Sequence, residues 1–494
     1  MSMRVLHVCA EVYPLLKTGG LADVTAALPQ ALGALGCDAR LLLPGFPAIR
    51  HGVVNPRLVA TVGACFGSDL VALYRGTLPG ADVVVYFVGA PTLYERPGGP
   101  YSDPCDAPYL DNDRRFALLG WMAGRLADGL DPDWQPAIVH GHDWHAGLAS
   151  AYLRASERET GRASARSVFT VHNLAYQGVF PAQRFPDTGL PPDFYDIEGV
   201  EFFGQYSFLK AGLYYSDKLT TVSPTYAREI QHPDQGCGLD GLLRHRAHDL
   251  HGILNGVDEA VWNPASDRHL AARYDVASLA GKRACKAALQ QMAGLTEQPD
   301  APLFGVVSRL AEQKGLHLVL DALAEIVERG GQFVLLGNGD PTLERAFQDV
   351  AACRPESIAV VIGYDESMSH RVIAASDVIM VPSRFEPCGL TQLFGLRYGT
   401  LPLVRRVGGL ADTVVDCSLE NLADGSATGF TFDSFDAAAL SVAIRRSFAL
   451  YQRQADWHRV QENAMRMRFG WSDCATQLLS VYHRIASLAT LVSV

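Results

Sequence analysis

The feature that most constrains this chain is a rhythm in which short apolar, β-branched runs alternate with helix-periodic stretches along most of its length. In the first half the runs are Arg4–Cys9, Arg40–Leu43, Val83–Val88, Ala137–His140, Ser167–Val171 and Lys218–Val222. In the second they are Leu303–Val307, Phe333–Leu336, Ile358–Ile362, Val378–Val381 and Leu401–Val404, each followed by a Gly- or Pro-bearing loop and a helical stretch. Continuous apolar runs suit strands buried on both faces, and the intervening helices are the connections that parallel strands need. After the first run Leu21, Val24, Leu28, Ala31, Leu32 and Leu35 recur at helical spacing until Gly36 stops the helix. From about 224 to 299 strand signals thin and turns accumulate, as in Asn255-Gly256-Val257-Asp258 and Trp262-Asn263-Pro264. The pattern predicts an α/β chain of two doubly wound domains with a hinge near 250, closing on C-terminal helices. At roughly 150 residues per domain, 494 residues have room for two or three.

Apolar residues make up 48% of the chain and charged ones 19%, enough to build a packed core and too few charges for a disordered segment. Forty-two Lys and Arg against 53 Asp and Glu give a net charge of −11, which repels polyanions and leaves any anionic ligand to a local site. Ten cysteines lie scattered without a CxxC pair, as expected of free thiols in a reducing cytoplasm. No run approaches the length of a membrane span, and neither an anchor nor a signal peptide is expected.

Several loops carry candidate chemistry. Lys17-Thr18-Gly19-Gly20-Leu21-Ala22-Asp23 sets a cation, two glycines and a carboxylate at the first strand-to-helix turn. It reads either as a cradle for phosphate and sugar or as an ordinary turn with Asp23 bonding the first helical turn. Its Gly-Gly-Leu-Ala-Asp recurs at 408–412, again after a strand and opening a helix, where paired glycines let amides approach an anion or a facing loop. Arg309 and Lys314 share the loop after the first strand of the second half, and two cations there suit a diphosphate. In Ser383-Arg384-Phe385-Glu386-Pro387-Cys388-Gly389-Leu390-Thr391, Pro387 reads as a first helical residue, with the amides of Cys388 to Thr391 turned to phosphate. Glu386 serves either sugar hydroxyls or the helix dipole.

His140-Gly141-His142-Asp143-Trp144-His145 invites a metal reading, but the carboxylate is one place out of register and backbone-bonded histidines at a strand end fit better. His172 ends the next strand, within reach of the cleft that Asp143 would face. Asp111-Asn112-Asp113 reads as helix capping and Asp131-Pro132-Asp133 as a turn, rather than as metal-binding DxD motifs. Gly337-Asn338-Gly339 lacks the third glycine of the dinucleotide fingerprint, and neither a Walker A loop nor a GxSxG elbow occurs.

Taken together, KTGGLADV, HDWHAG, TVHNLAYQG, LNGVD, SRL with QKG, and SRFEPCGLTQ with RRVGGLADT resemble the bacterial glycogen synthase and plant starch synthase family, from about Met3 to Ile485. The resemblance implies the GT-B fold: Rossmann-like domains at 1–250 (acceptor side) and 251–470 (nucleotide-sugar side) face each other across a cleft, with 471–494 returning to the first as a helix. It implies retaining transfer of glucose from ADP-glucose to the non-reducing end of an α-1,4-glucan, with UDP-glucose as the alternative donor. No cofactor or divalent metal is implied, nor any nucleic-acid or membrane partner, and the expected state is a cytoplasmic monomer or small homo-oligomer. By the same resemblance Arg309 and Lys314 neutralise the departing diphosphate, and Lys17 with Gly19 and Gly20 approaches it from the other domain once the cleft shuts. Tyr364 matches the residue stacking on adenine. Glu386, Cys388, Gly389, Leu390, Thr391 and His172 surround the donor, while Asp23, Asp143 and Asn255 line the reaction centre. One departure stands out: related transferases carry a second Glu eight places after the first, and here that place is Phe394.

Overall fold

The computed structural model describes residues 2–491 of the chain. It divides into two units, 1–256 with 471–494 and 257–470. In the first, strands β1 (Arg4–Val8), β2 (Asp38–Pro44), β3 (Val54–Cys65), β4 (Ser68–Thr77), β5 (Val84–Gly89), β6 (Ile138–His142) and β7 (Arg166–Val171) form most of one large sheet. A small separate sheet follows from β8 (Val179–Pro181), β9 (Glu201–Phe202) and β10 (Gln205–Ser207). Then β11 (Lys218–Thr221) and β12 (Leu250–Gly252) complete the large sheet in the order β12-β11-β7-β6-β1-β2-β5-β4-β3. All its pairings are parallel except β3 with β4 and β4 with β5. Because β12 pairs with β11, a domain boundary at 250 would cut this strand from its sheet, and the first unit runs on to 256.

The second unit is built on β13 (Leu303–Val307), β14 (Gln332–Gly337), β15 (Ile358–Ile362), β16 (Val378–Val381), β17 (Leu401–Arg405) and β18 (Phe430–Phe432). Their order is β15-β14-β13-β16-β17-β18, all parallel, which in the unit's own count is the 3-2-1-4-5-6 order of a dinucleotide-binding sheet. The strands are nearly all buried, as helices on both faces require.

Three helices end the chain: Ala437–Tyr451, Gln454–Arg466 and Trp471–Leu491. The last belongs to the first unit, where Leu478, Val481, Tyr482 and Ile485 pack against Val5, Leu28, Val168 and Ile253. Each such buried aliphatic side chain contributes about 1.5–3 kcal/mol. Of the apolar tail 485–494, Ile485 is buried in this cluster, while 492–494 fall outside the described residues.

Candidate functional sites at the switch point of each unit

In open parallel sheets ligands gather beyond the carboxyl ends of the strands, where the strand order reverses and neighbouring loops diverge. In the first unit this point lies between β1 and β6. The loop after β1 is tied down by Glu11, a buried carboxylate that accepts from Thr18 N and Thr18 Oγ1 (both 2.6 Å) and from the Tyr101 hydroxyl (2.5 Å). That anchor displays Lys17, whose ammonium pairs with Asp23 at 2.8 Å in the first turn of the helix Gly20–Ala34. Gly19 precedes this helix, and a Cβ added there would meet nothing within 4 Å. The loop is thus held from below and open above.

Asp143, one residue past β6, is buried and sits at φ +56°, ψ −178°, a backbone region that side-chain-bearing residues rarely adopt. Its Oδ1 accepts from the main-chain N–H groups of His172 (2.7 Å) and Asn173 (3.3 Å), locking the loop after β7 to the loop after β6. Burial raises its pKa to about 7; the two amides oppose this, and Glu11 adds to it. A strained, buried carboxyl titrating near neutrality is a mark of functional loops.

The histidines are bonded to side chains rather than to the backbone as their spacing suggested. His140 contacts the Tyr482 hydroxyl and Thr170 Oγ1, each at 2.6 Å, and His142 lies 3.0 Å from both His7 and His172. Nitrogens of His7, His140 and His142 gather within 4.8 Å, but both of His140 and both of His142 are already committed to hydrogen bonds, which disfavours a metal there. His145 stands apart, stacked on Tyr101 at 4.8 Å. The acidic triplets are also spent within the fold. Asp111 precedes the helix Asn112–Ala127 without capping it, because both of its oxygens go to Arg96 at 2.7 and 2.6 Å. Asp131 accepts from Asp133 N in a turn and from Tyr86 and Arg75.

The second unit switches between β13 and β16. Lys314, on the loop after β13, reaches Glu386, on the loop after β16, at 2.7 Å; Ser383 donates to the same Glu386 oxygen at 2.8 Å. These residues share one pocket with Ser308, Gly389, Leu390 and Thr391. Gly315 lets the two loops close up: its φ is +67°, and a Cβ there would lie 2.2 Å from the Pro382 carbonyl. The repeated Gly-Gly serves the same end, since Gly409 N–H donates to the carbonyls of Glu386 and Pro387 at 3.1 Å and an added Cβ would strike Cys388 O at 2.1 Å.

Pro387 is not a first helical residue. The helix begins at Thr391, and Pro387 belongs to the preceding loop, held by that bond to Gly409. Gln392 Nε2 spans the carbonyls of Cys388 and Gly389, both at 3.0 Å, while the N–H groups of Gly389, Leu390 and Thr391 meet no protein acceptor among the described residues. Cys388 is buried beneath the loop. Arg309 is exposed after β13 and makes no ion pair among the described residues. Tyr364 is exposed after β15, and Asn255 is half-buried after β12. Phe394 lies flat on Trp262, ring centroids 3.7 Å apart and planes 9° from parallel, so the place of a second acid is given to packing.

Glu11, Ser383 and Gln392 are site-forming residues to which the sequence assigned no role. A lone acid just past a strand end was the available signal for Glu11.

Residues 4–245 match the starch synthase catalytic domain family, and 289–464 match glycosyl transferases group 1. A glycogen synthase of Francisella philomiragia subsp. philomiragia is 56% identical over 484 residues, 98% of this chain and 100% of that protein. The glycogen synthase of Francisella tularensis subsp. novicida is 57% identical over 484 residues, 98% and 99% of the two chains. The chain belongs to the glycogen and starch synthase family. The starch synthase IV catalytic domain of Arabidopsis thaliana, solved with ADP and acarbose, superposes with a TM-score of 0.89 at 34% identity, covering 99% of this chain and 100% of that one. A sucrose-phosphate synthase of Thermosynechococcus elongatus, 17% identical with a TM-score of 0.57, shares the fold. The fold of this synthase-family chain is GT-B, and its two Rossmann-like units carry the family's motifs at their switch points.

Proposed function

We propose that the chain is a retaining glucosyltransferase that moves glucose from ADP-glucose to the non-reducing 4-hydroxyl of an α-1,4-glucan. The observation that carries this reading is the meeting of Lys314, Glu386 and Ser383 at the switch point of the second unit. There a cation and the N–H groups of Gly389, Leu390 and Thr391, which meet no acceptor among the described residues, suit phosphate oxygens, and a buried carboxylate suits sugar hydroxyls. The donor assignment is supported by the ADP and acarbose bound to the Arabidopsis relative.

In the proposed reaction the bond from glucose C1 to the phosphate oxygen breaks and a bond from C1 to the acceptor O4 forms on the same face. The proton of the acceptor hydroxyl passes to the leaving phosphate. Lys314 and Arg309 offset charge growing on the diphosphate, so no divalent metal is required. Lys314 holds Glu386 in place by their 2.7 Å contact, where its oxygens steady the hydroxyls of an oxocarbenium-like sugar without covalent attack. By the family resemblance Asp143 lines the reaction centre, His172 belongs to the donor glucose and the Lys17 loop to the departing diphosphate. No described helix is long and apolar enough to cross a membrane.

The test is nucleotide release from ADP-glucose and UDP-glucose, with and without glycogen, in excess EDTA. ADP release that needs glycogen and ignores the chelator is expected. UDP release alone would reassign the donor, abolition by EDTA would overturn the metal-free mechanism, and no release from either would overturn transfer.

A further inference from the structure

Three imidazoles on adjacent strands form a hydrogen-bonded row in the first unit. His7 of β1 meets His142 of β6 through Nδ1 to Nε2 at 3.0 Å, and His142 meets His172, just past β7, through Nδ1 to Nε2 at 3.0 Å. The sheet order β7-β6-β1 brings them side by side. Burial pushes His7 and His172 down to about 3 and His142 well below its usual value, so each ring is neutral and carries one proton for two nitrogens.

One proton per ring leaves two arrangements. If His172 donates through Nε2 to His142, and His142 through Nε2 to His7, the last proton is stranded on His7 Nε2, which is buried and has no partner. In the reverse arrangement His7 Nδ1 donates to His142, His142 Nδ1 donates to His172, and only an unused lone pair is buried at His7. An orphaned buried N–H is the rarer and costlier outcome. His140 stacks on His142 and lies tilted against His7, but it cannot relieve His7, because its own nitrogens are held by Tyr482 and Thr170.

We propose that His7 and His142 are positioning residues that fix His172 in the Nδ1–H form, so that it offers a neutral hydrogen-bond donor to a substrate sugar oxygen. Four features agree. His172 is half-buried, its main-chain N–H is pinned by Asp143, and its Nε2 is taken by His142; its Nδ1 takes no hydrogen bond among the described residues. A ring flip would break the row, so orientation and tautomer are set together. Such a donor orients a hydroxyl without giving up its proton, which suits a reaction in which the leaving phosphate takes the only proton that moves. The word sugar rests on the glucosyl-transfer reading; the tautomer does not.

The test is ring-15N-labelled histidine in the full-length protein, read by long-range 1H–15N correlation, with His172 assigned by the signals lost in His172→Gln. Protonated Nδ1 and bare Nε2 at His172 are expected; a protonated Nε2 would overturn the proposal. His7→Phe is expected to lower kcat about tenfold with donor KM within about twofold, the size usual for supporting residues. His7→Asn, whose amide N–H stands near the lost Nδ1–H, is expected to restore most of that rate. Equal rates in His7→Phe and His7→Asn would count against positioning. Absence of nucleotide release by the wild-type protein would sink the glucosyl reading, and the spectrum would still decide the tautomer.

Discussion

Lys314 and Glu386 are drawn from loops 72 residues apart, and their 2.7 Å contact exists because β13 and β16 are neighbours at the point where the sheet order reverses. Removing Lys314 strips charge from the phosphate side, and Glu386→Gln strips it from the sugar side. Lys314→Ala and Glu386→Gln are each expected to lower kcat by about 10²–10³, the scale of losing one electrostatic contact to a transition state, with cooperative unfolding retained. Near-normal turnover in both would refute the site. Asp143 carries a second residue-scale prediction. Its pKa is about 7 in the folded chain against 3.8 unfolded, so between these values the folded state binds more protons and stability falls as pH rises. Asp143→Asn keeps an acceptor for His172 N–H and removes the buried charge. It is expected to raise Tm at pH 8 and to leave Tm unchanged at pH 4; an equal shift at both would deny the raised pKa.

At the scale of elements, the two Gly-Gly-Leu-Ala-Asp copies have parted roles. At Gly409 an added Cβ would strike the Cys388 carbonyl, whereas at Gly19 it would meet open space on an extended backbone. Gly409→Ala is therefore expected to lower Tm and activity together, and Gly19→Ala to lower activity with Tm within about 1 °C. Equal Tm losses would contradict the contrast. The C-terminal helix supplies a further case: Tyr482→Phe leaves His140 Nδ1 without its partner, and urea unfolding should show a loss of about 1–3 kcal/mol. Most of the parallel strands were legible because they are continuous apolar runs largely buried between helices, although the short parallel strands β12 and β18 were not. The β3–β4 hairpin was not, since β3 is half-exposed and irregularly paired, and β8 to β10 and β12 are too short to carry a pattern. His140 and His142 announced themselves by spacing, but His7 and His172 join them only through strand order, which no local pattern encodes. Lys314 and Glu386 were each visible as loop residues, while their pairing and the support of Glu11 and Ser383 are tertiary facts.

At the scale of the whole molecule, a net charge of −11 means that an anionic donor is captured by local groups and not by a general field. Binding of ADP to the native state alone adds RT ln(1 + [L]/Kd), about 2.7 kcal/mol at a hundredfold excess over Kd. For a unit of this size that corresponds to a rise of about 5–10 °C in the Tm of the second unit. The shift is expected to shrink in Lys314→Ala, and a full shift in that variant would remove Lys314 from the donor site. The central claim is same-face glucosyl transfer from ADP-glucose, assisted by electrostatics at the second unit's switch point. It is tested most directly by extending a maltooligosaccharide with ADP-[13C]glucose and reading the anomeric coupling of the new residue by NMR. The account predicts a single new α-1,4-linked glucose per ADP released; a β-linked product, or ADP released without a new glycosidic bond, would contradict it.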